Sequence, residues 1–319
     1  MNMRIAAVVA AVLGLCLIAE VPARCQMRIE AIYGKDDRAD LYQVRHPRLR
    51  RLADSTAAFF QSAAVRIKGD TARLALDTYG TSLGLCKDEP FFSQPSGAFC
   101  TGSLVAPNVI LTAGHCVHTG ADCRDARIVF GFSVSREGQY PTAVPASDVY
   151  QCVKILSVRK EEEGEDWGLI ELDRPVERRQ PLKVNESGAI KKGAPLVLMG
   201  YPSGLPLKVA AGASVKRVSE QGTFVADVDS YAGNSGSPVF NAETGLIEGV
   251  LVRGGEDFED AGGCMRSVVY RPGEGGGEEI TRISAILPDL PASTPARMLA
   301  SWKPGASFGE LQRQAATEQ

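Results

Sequence analysis

From Phe99 onward the chain runs in short apolar stretches with a period of two, broken repeatedly by Gly, Pro, Asn and Ser. The runs fall at 103–105, 109–112, 126–132, 151–158 and 167–172, then at 195–200, 207–211, 214–218, 223–228, 238–240, 246–252 and 267–270. Successive side chains of a strand point to opposite faces, so this period marks strands with one face turned into a core. Many short strands at even spacing, with few helical patterns among them, argue for an all-β barrel or sandwich. Earlier in the chain, 55–60, 63–67 and 73–78 also read as strands. The segment 86–97, rich in Pro, Ser and acidic residues, reads as a loop, and the basic run 45–51 as a solvated surface segment. At 319 residues the chain can hold two packed units. The stretch 175–180 reads as the crossing between them, with the second unit beginning near Leu182.

Three short motifs carry chemistry. Gly233-Asn234-Ser235-Gly236-Ser237-Pro238 places one serine among small residues. A serine hydroxyl attacks a carbonyl only from a turn sharp enough to present its oxygen, and glycine supplies the backbone angles for such a turn. Backbone N–H groups of the same turn then gather around the developing oxyanion. The competing reading is an ordinary hairpin turn, since Gly, Asn, Ser and Pro are common turn residues. Upstream, Leu111-Thr112-Ala113-Gly114-His115-Cys116 ends an apolar run in a histidine, and Asp166 opens the alternating run Trp167 to Leu172. Only His46, His115 and His118 are present, and His115 alone stands in a motif.

The order His, Asp, Ser is that of the chymotrypsin constellation rather than of the other orders that carry the same chemistry. With these three motifs the chain resembles a chymotrypsin-fold serine endopeptidase. It is most similar to the bacterial branch containing the glutamyl endopeptidases, which also write Gly-Asn-Ser-Gly-Ser-Pro around the nucleophile. That branch also has a Gly-x-Asp-Asp-Arg segment near its mature amino terminus, matched here by Gly34-Lys35-Asp36-Asp37-Arg38. The resemblance covers roughly 31–286. It implies two six-stranded antiparallel β-barrels with the active site in the cleft between them, one over 61–180 holding His115 and Asp166, the other over 181–287 holding Ser235. It further implies Ser235 as nucleophile, His115 as base, Asp166 as the group orienting the ring, and the N–H groups of Gly233 and Ser235 as oxyanion hole. The substrates would be proteins or peptides, with no cofactor or metal, and the enzyme would be a monomer. A non-catalytic binding protein on the same fold is the alternative. A protease-chaperone would normally carry a peptide-binding module after the barrels, and only about thirty residues follow Ile286.

The sequence also departs from the animal digestive enzymes. Asn234 stands where those enzymes keep an aspartate that pairs with a freshly cut amino terminus, so that ion pair is not available. Val252 stands where many relatives have a serine touching the triad aspartate. The substrate pocket is expected among Asp229, Ser230, Leu251, Val252, Arg253 and Gly254. Asp229 suggests a basic partner side chain. Arg253 suggests an acidic one, or else a pairing with Asp229. Leu251 occupies the place of the histidine that glutamyl specificity normally needs.

Arg4 followed by an apolar run over 5–19 reads as an export signal, 1–25, too short for a membrane span. The expected location is secreted or periplasmic, with no stable membrane anchor. An N-terminal segment 26–60, a possible short pro-region or strap, would precede the barrels, and a Pro/Ala-rich tail, 288–319, would follow them. A formal net charge of −3 gives no general attraction to nucleic acid. Of eight cysteines, Cys16 leaves with the signal, and cleavage behind Cys25 leaves six, an even set for an oxidising compartment. The resemblance implies the pair Cys100–Cys116. Among Cys86, Cys123, Cys152 and Cys264 three pairings stay open, with Cys123–Cys152 and Cys86–Cys264 preferred. A zinc site at Cys116, His118 and Cys123 fits no common ligand spacing.

Overall fold

The computed structural model describes residues 31–271 and 273–291. The expected signal segment, with Cys16 and Cys25, and the tail from residue 292 lie outside the described residues.

Twelve strands build two closed barrels. The first comprises β1 (Thr56–Gln61), β2 (Cys100–Ala106), β3 (Val109–Thr112), β4 (Ala126–Val129), β5 (Val149–Lys160) and β6 (Asp166–Leu172). They run around the barrel as β4-β5-β6-β3-β2-β1, and β1 meets β4 with Ala58 opposite Val129 to close it. The second comprises β7 (Pro195–Gly200), β8 (Lys208–Val218), β9 (Thr223–Ala226), β10 (Pro238–Asn241), β11 (Ile247–Arg253) and β12 (Glu278–Arg282). Its order is β7-β10-β11-β12-β9-β8, closed by the pairing of β7 with β8. All the barrel pairings are antiparallel, so the fold is that of chymotrypsin-like proteins.

The period-two pattern explains why two barrels form. In β7, Leu196 and Leu198 fill the interior of the second barrel, whereas Val197 and Met199 join the core that also contains the first. A strand apolar on both faces can satisfy both only by sitting between two layers. The first core is centred on Phe59, Phe60, Leu104, Ile110, Leu111, Trp167 and Ile170, each at most 1% exposed.

Several expectations are corrected. The first barrel opens at Thr56 rather than at residue 61, and the strands expected at 63–67 and 73–78 form a hairpin, Val65–Lys68 with Thr71–Leu74, outside the barrel. The basic run 45–51 enters a helix, Pro47–Asp54, with proline in its first turn, where the missing N–H costs no helical bond. Its Leu49 and Leu52 pack on the core. The stretches 207–211 and 214–218 are one strand, β8. The segment 267–270 is not in the barrel: Val269–Tyr270 pairs in parallel with Ile32–Tyr33, and the barrel closes through β12 instead. The acidic start of β12 hid it, because Glu278 and Glu279 do not read as strand residues, yet both are buried.

The amino-terminal segment is a strap on the second barrel. Arg38–Asp40 adds to the edge of β8, with Lys208 opposite Asp40. Three disulfides are present: Cys100–Cys116, Cys123–Cys152 and Cys86–Cys264. The sulfurs of Cys116 and Cys123 are therefore consumed, and with His118 they make no zinc site.

Candidate active site

β3 carries the chain to Thr112, and the turn 114–116 that follows holds His115. β6 lies beside β3 with Gly168 opposite Thr112, so its first residue, Asp166, comes level with that turn. The Asp166 carboxylate is 3% exposed. One oxygen, Oδ2, lies 2.7 Å from His115 Nδ1, and the other, Oδ1, accepts the His115 backbone N–H at 3.0 Å. Two contacts to one carboxylate fix both the ring and the backbone that bears it. The ring is about one-third exposed, so one face of the pair is buried and the other open.

Ser235 comes from the second barrel, in the turn that leads into β10, and bonds across the barrel interface set its place. The Ser235 carbonyl accepts the N–H of Thr101 in β2 at 2.8 Å, and the Thr101 hydroxyl donates to the Gly233 carbonyl at 2.9 Å. Gly233 and Gly236 have φ of +93° and +90°. A side chain at Gly236 would place its Cβ 2.0 Å from the Thr101 carbonyl oxygen, so only glycine lets the turn reach the first barrel. Neither the Gly233 nor the Ser235 N–H donates to another protein group among the described residues. Asn234, 1% exposed, donates to Ser230 Oγ and accepts from Ser237 Oγ, so it ties the turn together through neutral hydrogen bonds.

His115, Gly233 and Ser235 line one cleft of about 960 Å³. No direct hydrogen bond joins His115 to Ser235 among the described residues; such pairs are often long before substrate arrives. Phe99, Phe258 and Met265 give the cleft apolar surface, and Asp122, Asp125, Glu256 and Asp257 give it carboxylates. Asp257 also accepts the Ala232 N–H, at 3.0 Å from Oδ2.

None of the residues expected to form the substrate pocket lines this cleft. Asp229 is buried and accepts the N–H groups of Tyr33 and Asp37 from the strap, at 2.7 and 2.9 Å. Ser230 is spent on Asn234. Leu251 and Val252 face cores, and Gly254 is not in the cleft lining. Arg253 does not pair with Asp229; it reaches Glu279 and the loop before Asp166. The lining comes from the next residues along, Gly255 to Phe258, and from Met265. The one local hint was the glycine pair Gly254-Gly255 after a strand, followed by an acidic and aromatic run. Asp166 is also held through its backbone from β12: the Thr281 hydroxyl accepts the Asp166 N–H at 3.1 Å and donates to its carbonyl at 3.0 Å.

The family model described as the trypsin-like peptidase domain matches residues 100–250, a span containing His115, Asp166 and Ser235, and supports a peptidase domain there. A search of curated protein sequences found no match. Among solved structures, the chain is similar to a Glu endopeptidase in complex with MPD, at 19% identity and a TM-score of 0.45, covering 81% of this chain and 96% of that one. It is also similar to the inactive form of Rv3671c from M. tuberculosis H37Rv, at 12% identity and a TM-score of 0.44, covering 84% and 98%.

Proposed function

We propose that the protein is an exported serine endopeptidase that hydrolyses peptide bonds through Ser235, His115 and Asp166. The observation that carries this reading is the 2.7 Å contact of His115 Nδ1 with a buried Asp166, in a cleft that Ser235 also lines. The carboxylate holds the proton on Nδ1, which leaves Nε2 as the base for the Ser235 hydroxyl. Attack on the substrate carbonyl gives a tetrahedral intermediate whose oxyanion is held by the N–H groups of Gly233 and Ser235. His115 returns the proton to the leaving amine, and water then releases the acyl group from Ser235 by the same route. Three disulfides support an oxidising compartment. Among the described residues no helix is long and apolar enough to cross a membrane.

A fluorophosphonate probe is expected to label Ser235 in the intact protein and not in Ser235→Ala. His115→Ala should slow labelling by roughly four orders of magnitude. A folded wild-type protein that stays unlabelled would overturn the reading.

A further inference from the structure

Arg253 sits at the end of β11, in the second barrel, but its guanidinium reaches into the first. Nη1 donates to the Gly164 carbonyl at 2.8 Å and lies 3.5 Å from Glu279 Oε2 on β12. Nη2 donates to the Glu161 carbonyl and lies 4.0 Å from Asp166 Oδ2, the oxygen that also meets His115 Nδ1. The side chain is 18% exposed, and Asp166 and Glu279 are buried.

We infer that Arg253 is a positioning residue for the Asp166–His115 pair, an inference that rests on the serine endopeptidase reading only for its kinetic consequence. Two buried carboxylates, Asp166 and Glu279, flank this one guanidinium. Its positive charge faces the Asp166 oxygen that meets His115 Nδ1, so removing it takes an opposite charge from beside that oxygen. Asp166 holds His115 in the working tautomer through that same oxygen, so the guanidinium and the ring N–H approach one acceptor and the guanidinium fixes where it lies. The same group fastens the 161–164 turn through two carbonyls, which fixes the chain just before Asp166. Thr281 grips the Asp166 backbone from β12, and Arg253 faces its carboxylate from β11. Both grips come from the barrel that carries Ser235, so the first barrel's two contributions are registered against the nucleophile.

The test measures the fluorophosphonate inactivation constants kinact and KI. It also follows the low-field proton resonance of the His115 Nδ1–H hydrogen bond, read in a Ser235→Ala background so that it needs no activity. Arg253→Met should lower kinact about 10- to 100-fold at nearly unchanged KI, the scale of a misplaced catalytic group, and should shift or abolish the resonance. Arg253→Lys, which keeps the charge but cannot span both carbonyls, should recover most of kinact and retain the resonance. If Arg253→Met fails to accumulate as folded protein, the lysine variant decides alone: a lost resonance, or kinact lowered about 10-fold or more, overturns the inference. An unchanged kinact or resonance in Arg253→Met also overturns it. An unlabelled wild type would defeat the endopeptidase reading instead, and the resonance would still decide the role of Arg253.

Discussion

Asp229 is a carboxylate six places before Ser235, and its surroundings make it an anchor for the strap. It accepts two strap N–H groups and faces Asp37, whose Oδ1 has no hydrogen-bond partner among the described residues. Burial, then the mutual repulsion of the pair, raises Asp37 to about 9; burial raises Asp229 to about 6, with Asp36 and Arg38 the other charges beside Asp37. Both folded values lie above the unfolded carboxylate range. The folded protein therefore holds more protons than the unfolded chain between pH 4 and 9, and stability falls as pH rises through that window. Asp37→Asn is expected to remove the part of this slope above about pH 6, the part below it belonging to Asp229. At pH 8 it should raise Tm by about 2–4 °C, the equivalent of about 1 kcal/mol in a chain of this size, with little gain at pH 4.5. Thermal denaturation at both pH values checks it. The contrast with Ser235 shows what a sequence discloses about single residues. Ser235 sits in a turn with a special local backbone, and that turn writes Gly-Asn-Ser-Gly into four adjacent letters. Asp229 is defined by partners 192 and 196 positions away, which leave no local mark.

The strap is the element whose role was least legible, because its stability comes from side chains spread over three distant segments. Lys208 on β8, 2% exposed, donates to Asp40 Oδ1 and Gln94 Oε1, both at 2.7 Å, and to the Pro206 carbonyl. Gln94 completes the triangle by donating to Asp40 Oδ2 at 2.7 Å. Next to it, Arg38 chelates Asp36 through two nitrogens and lies 4.2 Å over the Tyr231 ring. In the fold Lys208 places its ammonium on both members of this carboxylate–amide pair. Lys208→Met would leave Asp40 buried with half its partners, and breaking such a buried pair costs about 3–5 kcal/mol. The strap should then open before the barrels do. Hydrogen exchange should show early loss of protection at Arg38–Asp40 while β3 and β6 stay protected; uniform loss over both barrels would contradict this. The barrel strands, by contrast, were readable because one period organises each of them. The exception, β12, fails that reading because its first two residues are glutamates buried against Tyr33 and Arg253.

For the molecule as a whole, function depends on two barrels meeting in register and on what lines the gap between them. The register was readable in outline, since three motifs in a fixed order imply one cleft. The lining was not, because it depends on how far the chain travels after β11 before turning in. That path is fixed by the Cys86–Cys264 bridge, which ties the Met265 wall to a segment 178 positions earlier, and by the seating of Phe258 against Tyr79 and Tyr231. The wall so placed brings Glu256 and Asp257 to the cleft that Ser235 also lines, and the short helix Gly120–Asp125 brings Asp122 and Asp125 there. No lysine or arginine lines the cleft among the described residues. A peptide lying there would meet four carboxylates, Asp122, Asp125, Glu256 and Asp257, a charge distribution that favours approach of cationic side chains over acidic ones. Cleavage of a diverse peptide library should therefore favour bonds flanked by Lys or Arg over bonds flanked by Asp or Glu, by about tenfold at low salt. The preference should weaken as ionic strength passes 0.1 M, where the screening length falls to about 10 Å, comparable to the width of such a cleft. Glu256→Gln with Asp257→Asn should reduce it further without slowing fluorophosphonate labelling of Ser235. Preferential cleavage beside glutamate would show instead that the cleft's charge does not select the substrate, and that recognition falls to the apolar surface of Phe99, Phe258 and Met265.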